Sequence, residues 1–419
     1  MPSQDGAAGS SWEHGWALSA IVVGLAVALV LARPSTAAVV ECASGDVACL
    51  IGSINTANAN GEINTIRLQP GTYTLRAIDN ETDESNGLPS ITSPLTIVGA
   101  GIGNTTIERD ATSPNFRLFH VGQTGVLKLE GLTARGGRLA GAPLQFGGGG
   151  LFNRGTAIIS QSALMDCFSD AIGPGGPGGG GIASLGRLVI AGSSISNNSS
   201  GGFGGGVFSL AALTVVNSTI SGNTGNLGGG LYIEGLAIIV GSTIANNLAF
   251  DGNGGGVFSF STAVAIINST LAGNRTEFAG GGLAGGGGII VNTTIANNSA
   301  PGGSDALSAS SALAVYNTIV SGLLVLNRPA CLGRVTSLGN NLFSDSTCAV
   351  TLLADDLMGD PRLGDFTDNG TPGHGFLPLL RRSPALNAGD PGACLPTDQR
   401  GHRRTAKGCD IGAIEGTRP

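Results

Sequence analysis

Apolar and polar positions in the middle of this chain follow one pattern that returns every 24 to 27 residues. Each copy begins with a run of glycines and continues through two short aliphatic stretches. It ends in a Ser/Thr–Ser/Thr–Ile/Leu step and a turn that carries asparagine. The aliphatic residue of that step forms one column: Ile195, Ile220, Ile244, Leu271 and Ile295. A period of this length is typical of a solenoid in which each copy is one coil.

The aliphatic stretches are predicted to be β-strands, because Val, Ile and Thr dominate them and glycine at this density would destabilise helices. A second aliphatic column recurs in the same register: Ile190, Val215, Ile239, Ile266 and Ile290. Like residues in register imply coils that stack at one strand spacing. We therefore predict an all-β fold, a right-handed parallel β-helix with roughly 24–26 residues per coil. About ten to twelve such coils would make a body about 50 Å long.

A column of asparagines lies three residues after the first aliphatic column: Asn198, Asn223, Asn247, Asn274 and Asn298. Stacked asparagines can form hydrogen bonds from coil to coil, and asparagine tolerates left-handed turn geometry. We interpret this column as a structural ladder and not as a binding site. The glycine triplets mark turns that need a positive φ or a close backbone approach, and none matches a phosphate-binding loop.

Composition divides the chain into four segments. Residues 1–38 are predicted to be a signal peptide or an N-terminal anchor, and residues 39–62 an N-terminal cap. Residues 63–350 are predicted to form the β-helix, with the regular repeats at 147–322, and residues 351–419 a C-terminal module.

The two segments before the β-helix carry their own signals. The apolar run Ala17–Ala32 has the length of a signal-peptide core, although no Lys or Arg precedes it. Cleavage with secretion is favoured, and a retained anchor stays open. In the cap, one face of a predicted helix is apolar: Leu50, Ile51, Ile54 and Ala57. Such a helix would plug the open first coil.

Six of the seven cysteines fall into three local pairs near the two ends: Cys42 with Cys49, Cys331 with Cys348, and Cys394 with Cys409. Local pairs of this kind predict disulfides that staple the caps in an oxidising compartment. Zinc is the rival interpretation, but no CxxC pair is present. The seventh cysteine, Cys167, falls on the asparagine column and is predicted to be a small buried residue.

Charge limits the classes of function. The net charge is −7 and no basic stripe exists, which argues against nucleic acid as a partner. Between Ala171 and Ala300 only five residues are charged, scattered over the period: Arg187, Glu234, Asp251, Arg275 and Glu277. The acidic loop Asp79–Glu84 could bind calcium, but a solvated surface loop is favoured. We predict no catalytic residue, no cofactor and no bound metal.

The C-terminal module holds one group of mixed polar side chains: Asp398, Gln399, Arg400, His402, Asp410 and Glu415. Such a set could bind a sugar or act in acid–base catalysis. We favour a structural role in which Arg400 pairs with Asp398, Asp410 or Glu415 and fastens a cap over the last coil.

Three stretches resemble known families. The GGG-aliphatic copies followed by S/T-I-x-x-N resemble polymorphic outer-membrane protein repeats of bacterial β-helix surface proteins. DVACLIGSINTANAN, ending at Asn60, resembles the CSLREA-type module of secreted bacterial β-helix proteins. The series SPALNAGD, TDQRG and CDIGAIE, ending at Glu415, resembles the choice-of-anchor Q module. These resemblances imply a bacterial protein, secreted or held at the cell surface, with no established chemistry.

Two functions stay open. The first is a non-catalytic exported β-helix protein for adhesion, matrix or glycan contact. We expect such a protein to be a monomer that meets a membrane only through residues 1–38. The alternative is a polysaccharide lyase or glycoside hydrolase. Its support is analogy of fold together with the acids of Asp79–Glu84 and Asp355–Asp368.

Overall fold

The computed structural model describes residues 38–141, 145–171, 178–261, 263–323, 326, 328–348, 351–405 and 408–416. The predicted export segment lies outside this part of the chain, apart from residue 38. The described residues form 37 strands in three sheets and one helix. Every pairing between these strands is parallel and joins one coil to the next, which confirms the predicted parallel β-helix.

Each regular coil contributes two strands to a large sheet and one strand to each of two further sheets. The large sheet consists of Ala38–Cys42, Asn64–Leu68, Pro94–Val98, Phe119–Val121, Val126–Glu130, Leu151–Asn153, Thr156–Ser160, Ile182–Ser184, Arg187–Ala191, Val207–Ser209, Leu213–Val216, Leu231–Ile233, Ala237–Val240, Val257–Ser259, Val264–Ile267, Leu283–Gly285, Gly288–Val291, Leu307–Tyr316 and Cys331–Ser337. The second sheet consists of Gly71–Leu75, Thr105–Arg109, Thr133–Arg135, Ala163–Met165, Ser194–Ser196, Thr219–Ser221, Thr243–Ala245, Thr270–Ala272, Thr294–Ala296, Ile319–Val320, Leu342–Phe343 and Leu357–Met358. The third sheet consists of Arg138–Leu139, Phe168–Ser169, Ser199–Ser200, Thr224–Gly225, Leu248–Ala249 and Arg275–Thr276.

Both predicted aliphatic columns point into the solenoid and are in register. Ile195 pairs with Ile220 and Ile220 with Ile244, while Val215 pairs with Ile239 in the large sheet. These five side chains are fully buried. Because each such side chain stabilises the fold by about 1.5–3 kcal/mol when buried, the two columns are a main source of stability.

The glycine triplets have two separate roles. Gly204, the first of its triplet, has φ 64°, and a Cβ at this position would lie 2.3 Å from the carbonyl oxygen of Val207. A Cβ on Gly206, the third, would lie 2.7 Å from the carbonyl oxygen of Gly230 and 3.0 Å from Cγ of Asn223. The first glycine of the triplet is therefore required by its backbone conformation. The third is required because a side chain there would collide with the asparagine column of the same coil.

The N-terminal cap is a helix over Val47–Asn60. It begins after Asp46, whose side chain accepts a hydrogen bond from the backbone N–H of Cys49, and it ends at Gly61 in the left-handed conformation. Leu50 and Ile54 are buried against the first coil. The helix therefore closes the interior that the first coil would otherwise expose, as the sequence predicted.

The C-terminal segment covers a flank of the solenoid in addition to its end. Asn340 donates from Nδ2 to the carbonyl of Ala388 at 3.2 Å, close to the last coil. The backbone N–H of Gly373 donates to Oγ1 of Thr219 at 2.8 Å, several coils earlier. The segment thus lies along the outer face of the second sheet, and the expectation of a cap limited to the last coil is too narrow.

Candidate functional site

The predicted asparagine column forms a continuous chain of hydrogen bonds inside the solenoid. Nδ2 of Asn198 donates to Oδ1 of Asn223 at 3.0 Å, and Asn223 donates in the same way to Asn247 at 3.0 Å. Asn247 continues the chain to Asn274, and Asn274 to Asn298, each at 2.9 Å. All five residues are buried, so these amides have no access to a ligand.

Left-handed geometry belongs to the residue before each ladder position. Asn197, Asn246 and Asn297 have φ near 56°, and glycine stands before Asn223 and Asn274. Tolerance of left-handed turns therefore explains the first asparagine of each Asn–Asn pair, while hydrogen bonding explains the second.

Disulfides join the three local cysteine pairs: Cys42–Cys49, Cys331–Cys348 and Cys394–Cys409. Cys394–Cys409 lies beside Asn317 on the flank that the C-terminal segment covers. Among the described cysteines, Cys167 alone is free. Burial raises the pKa of its thiol to about 12, so this thiol is no nucleophile at neutral pH.

The mixed polar group of the C-terminal segment is occupied by its own hydrogen bonds. Asp398 is buried and accepts from Nη2 of Arg400 at 2.8 Å, from the backbone N–H of His402 at 2.9 Å and from that of Glu415 at 3.0 Å. Gln399 bridges Thr243 of the second sheet and two carbonyls of the segment itself. These contacts hold the segment together and onto the flank, and they leave no carboxylate oxygen of Asp398 for a substrate.

Further acids of this region also accept hydrogen bonds from nearby groups. Asp356 accepts from Oγ of Ser337 at 2.8 Å and from the backbone N–H of Asn341 at 3.0 Å. Asp360 and Asp368 each accept from a backbone N–H two residues later. Within the described residues no group of three or more His, Cys, Asp or Glu side chains is arranged to hold a metal ion.

The acidic loop Asp79–Glu84 meets two cations and a histidine on the outer face of the large sheet. Nη1 of Arg154 lies 3.0 and 2.8 Å from the two carboxylate oxygens of Asp83. Nε2 of His120 lies 3.2 Å from Oδ2 of the same carboxylate, whose side chain is only 17% exposed. The expectation of a solvated loop is therefore wrong for Asp83, because the loop folds back onto the sheet.

Arg117 is the second cation that contacts the acidic loop. It is buried, donates from Nη1 to the carbonyl of Asp83 at 2.6 Å and from Nη2 to that of Gly147 at 2.9 Å. Its guanidinium lies 4.9 Å from the centre of the Phe152 ring. Burial lowers the pKa of Arg117 to about 9, so it still carries its charge at neutral pH. We call Asp83, Arg117, His120 and Arg154 the polar cluster.

Burial, followed by the nearby charge of Arg117, lowers the pKa of His120 to about 4. The ring is therefore neutral at pH 7. Because a carboxylate only accepts, Nε2 carries the proton and donates to Asp83, while Nδ1 lies 2.8 Å from Oγ of Ser90, whose hydroxyl also lies within hydrogen-bonding distance of Oδ1 of Asn80.

Ser90, His120 and Asp83 thus have the connectivity of a nucleophile, a base and an orienting acid. The environment opposes that chemistry, because a base that takes the serine proton must become an imidazolium. Desolvation and Arg117 disfavour that charge, and Arg154 already neutralises the carboxylate that would stabilise it. We therefore interpret the contacts between Ser90, His120 and Asp83 as structural and not as a site of acyl transfer.

Aromatic rings stack on the same outer face, further along the solenoid. Phe208 and Tyr232 stack with centroids 5.1 Å apart, and Tyr232 and Phe258 with centroids 5.6 Å apart. Phe203 stacks on Tyr232 at 4.8 Å, and Phe260 meets Phe258 edge-on at 5.1 Å. The separations approach the spacing of neighbouring strands, so the ladder itself imposes the stack.

A ridge of turn residues runs beside these rings. Its members directly follow residues that pair in register in the large sheet, one from each of five successive coils: Arg154, Leu185, Leu210, Glu234 and Phe260. We call this line the turn ridge. At one strand spacing per coil it is about 19 Å long. It joins the polar cluster at Arg154 to the aromatic stack at Phe260.

The turn ridge exposes apolar side chains next to solvent. Leu210 is 37% exposed and Phe260 is 64% exposed, and Leu236, two residues beyond Glu234, is 50% exposed. Exposed apolar side chains on three successive coils are a feature of interaction sites. The rings of Phe208, Tyr232 and Phe258 beside the turn ridge are buried.

Sequence inspection missed both the polar cluster and the turn ridge. The rings had a visible signal, since Phe208, Tyr232 and Phe258 occupy the same position after each glycine triplet. That position alternates with the buried Val207 column and therefore points outward. The polar cluster had no such signal, because Asp83 and Arg154 are 71 residues apart. Arg275 and Glu277, treated as scattered charges, form an exposed ion pair.

Of the described residues, none belongs to a helix with the length and apolarity that a membrane span requires. No family model and no curated protein matches this sequence.

The chain is similar in structure to two solved β-helix proteins. One is a pectate lyase, Pel9A, with 16% identity, coverage of 92% of this chain and 98% of that one, and a TM-score of 0.47. The other is the A-module of the mannuronan C-5 epimerase AlgE4 of Azotobacter vinelandii, with 14% identity, coverage of 76% and 91%, and a TM-score of 0.47. The class of the fold, a parallel β-helix, rests on the strand pairing of the chain itself.

Proposed function

We propose that this protein is an exported, non-catalytic β-helix protein that contacts extended glycans along the turn ridge. The observation that carries the proposal is the exposure of apolar side chains on successive coils, ending in Phe260. A surface that repeats at one strand spacing suits a ligand that also repeats along its length. The apolar C–H faces of sugar rings can pack on an exposed aromatic ring, and sugar hydroxyls stay in water.

Export is part of the proposal. The three disulfides indicate an oxidising environment. The resemblance of the C-terminal segment to the choice-of-anchor Q module, and of the N-terminal cap to the CSLREA-type module, supports secretion from a bacterium and attachment at its surface.

The first experiment is a glycan array with the full chain, followed by titration of the best ligand. Replacing Phe260 with Ala should weaken binding about ten-fold, since a well-packed aromatic contact is worth about 1–2 kcal/mol. Phe278 is the matched control, because it is exposed on a neighbouring turn but lies off the ridge. Equal loss in both variants, or none in F260A, would refute the assignment of the ridge.

The alternative, a polysaccharide-cleaving or ester-cleaving enzyme, has one specific observation in its favour, the order Ser90–His120–Asp83. Assays for unsaturated ends, reducing ends and released acyl groups on the bound glycans test it directly. We expect no product. Product formation that is lost in both Ser90→Ala and Asp83→Asn would replace the binding function with a catalytic one.

A further inference from the structure

We infer that Arg154 is a recognition site for an anionic group, a carboxylate or a sulfate, on the glycan that follows the turn ridge; this inference rests on the proposed function. The guanidinium side chain is 32% exposed. Nη1 is engaged by both oxygens of Asp83. Among the described residues, the hydrogen bonds that Arg154 donates come from Nη1 and go to Asp83. Arg154 therefore has donors left over on a side chain that is already fixed in position.

Two contacts fix the position of the Arg154 side chain. Asp83 holds the guanidinium through Nη1, and the ring of Phe146 lies 5.8 Å from the guanidinium carbon. An arginine that is held in place loses less side-chain entropy when it binds, and a carboxylate or sulfate matches the planar array of its remaining donors. The charges of Glu84 and Asp83 both act on Arg117, and the two arginines Arg117 and Arg154 balance these two carboxylates, so the group carries no net negative charge.

The negative charge of Glu234, further along the turn ridge, restricts which glycans can bind. Glu234 lies three coils from Arg154, at about 14 Å by strand spacing. It accepts a hydrogen bond from the hydroxyl of Tyr232 at 3.2 Å, which keeps the carboxylate on the ridge. A second anionic group at this point of the ligand would be repelled. The geometry thus favours a glycan in which acidic residues alternate with neutral ones over a glycan that is acidic at every residue.

Binding of three oligosaccharide probes to the full-length protein tests the inference. The probes are a hyaluronan oligosaccharide with alternating acidic and neutral residues, an oligogalacturonate with an acid at each residue, and a neutral β-glucan oligosaccharide of equal length. We expect the alternating probe to bind most tightly. A sulfated oligosaccharide with the same alternation distinguishes sulfate from carboxylate as the preferred anion.

Variants of the two acidic residues, Asp83 and Glu234, should act in the opposite direction to a variant of Arg154. Arg154→Gln should weaken binding of the alternating probe about ten-fold, as expected for a lost charge-assisted hydrogen bond, and Arg154→Lys should restore part of it. Asp83→Asn should strengthen binding, because the amide oxygen of asparagine can still accept from Nη1 of Arg154 while the competing negative charge is removed. Glu234→Gln should improve the oligogalacturonate selectively.

Arg187, exposed on the coil next to Arg154 but off the ridge, is the matched control, and Arg187→Gln should leave all affinities unchanged. Thermal melting of each variant separates loss of folding from loss of binding. Tight binding of the neutral probe with no change in R154Q would overturn this inference and leave the proposed function standing. No binding of any probe would contradict the proposed function itself.

Discussion

Asn247 donates a hydrogen bond from Nδ2 to Oδ1 of Asn274 at 2.9 Å, one coil further along the solenoid. The same amide also donates to the carbonyl of Ile220, and its oxygen accepts from the backbone N–H and the side chain of Asn223. One buried side chain therefore satisfies polar groups on the coil before its own and on the coil after it. The asparagine ladder thus provides hydrogen-bond partners for backbone groups of these turns that are buried away from water.

Removing one member of this ladder should destabilise the protein strongly. Asn247→Ala leaves the N–H of Asn223 and the carbonyl of Ile220 without partners, and each buried unsatisfied group costs about 1–3 kcal/mol. We expect a loss of about 2–6 kcal/mol in the free energy of unfolding, measured by chemical denaturation. The neighbouring Asn246→Gly is the control, because Asn246 is exposed and glycine accepts its φ of 56°. Equal effects of the two changes would contradict the ladder.

The direction of side chains in the large sheet gives a second prediction. Ile239 points into the solenoid and is fully buried, whereas Ile238 points outward. Ile239→Asp should abort folding of the array, since a charge without a partner is very costly inside an apolar interior. Ile238→Asp should give a soluble protein. Protease resistance of the two purified variants checks this, and a soluble, resistant I239D protein would refute the inward assignment.

Gln399 should control attachment of the C-terminal segment. Its amide group contacts Thr243 and Thr270 of the second sheet as well as the carbonyls of Gly373 and Gly375. Gln399→Ala should release this part of the flank without unfolding the coils beneath, because the interior columns are untouched. Hydrogen exchange should then become faster at residues 373–375 and 397–413.

Arg403 supplies the control for that experiment, since it is exposed in the same segment. Arg403→Ala should leave exchange unchanged. If Q399A instead made exchange faster in every coil equally, the segment and the solenoid would unfold as one unit.

Acid should weaken the fold through His120. Its pKa is about 4 in the folded protein, against an ordinary value of 6.5. The unfolded chain therefore takes up the proton first as the pH falls, and stability is lost between pH 6.5 and pH 4. The loss is on the order of 3 kcal/mol. Below pH 4 both states are protonated and this contribution stays constant.

The measurement is the free energy of unfolding between pH 4 and pH 7 for wild type and His120→Gln. We expect the difference between the two proteins to change across that window. Burial raises the pKa of Asp410, which contributes with the opposite sign, but this contribution cancels in the difference. A difference that does not vary with pH would show that His120 does not titrate as described.

The sequence alone determined the coil, the two aliphatic columns and the asparagine column. The physical reason is that in a β-helix each residue pairs with its counterpart one period away, as Ile220 does with Ile244. Contacts that repeat at a fixed spacing leave a repeat in the sequence. The helix of the N-terminal cap was also predictable, because its apolar face and the adjacent cysteines are local signals.

Only the tertiary structure decided where the parts without a repeat lie. Gln399 reaches Thr243 across 156 residues, and Asp83 reaches Arg154 across 71. Neither contact follows from a period or from local pattern, since each depends on how one irregular segment fits a surface that the coils have already built. The turn ridge is of the same kind. Its members include an arginine, two leucines, a glutamate and a phenylalanine, so no single residue type marks the line in the sequence, and only the stacking of coils brings them together.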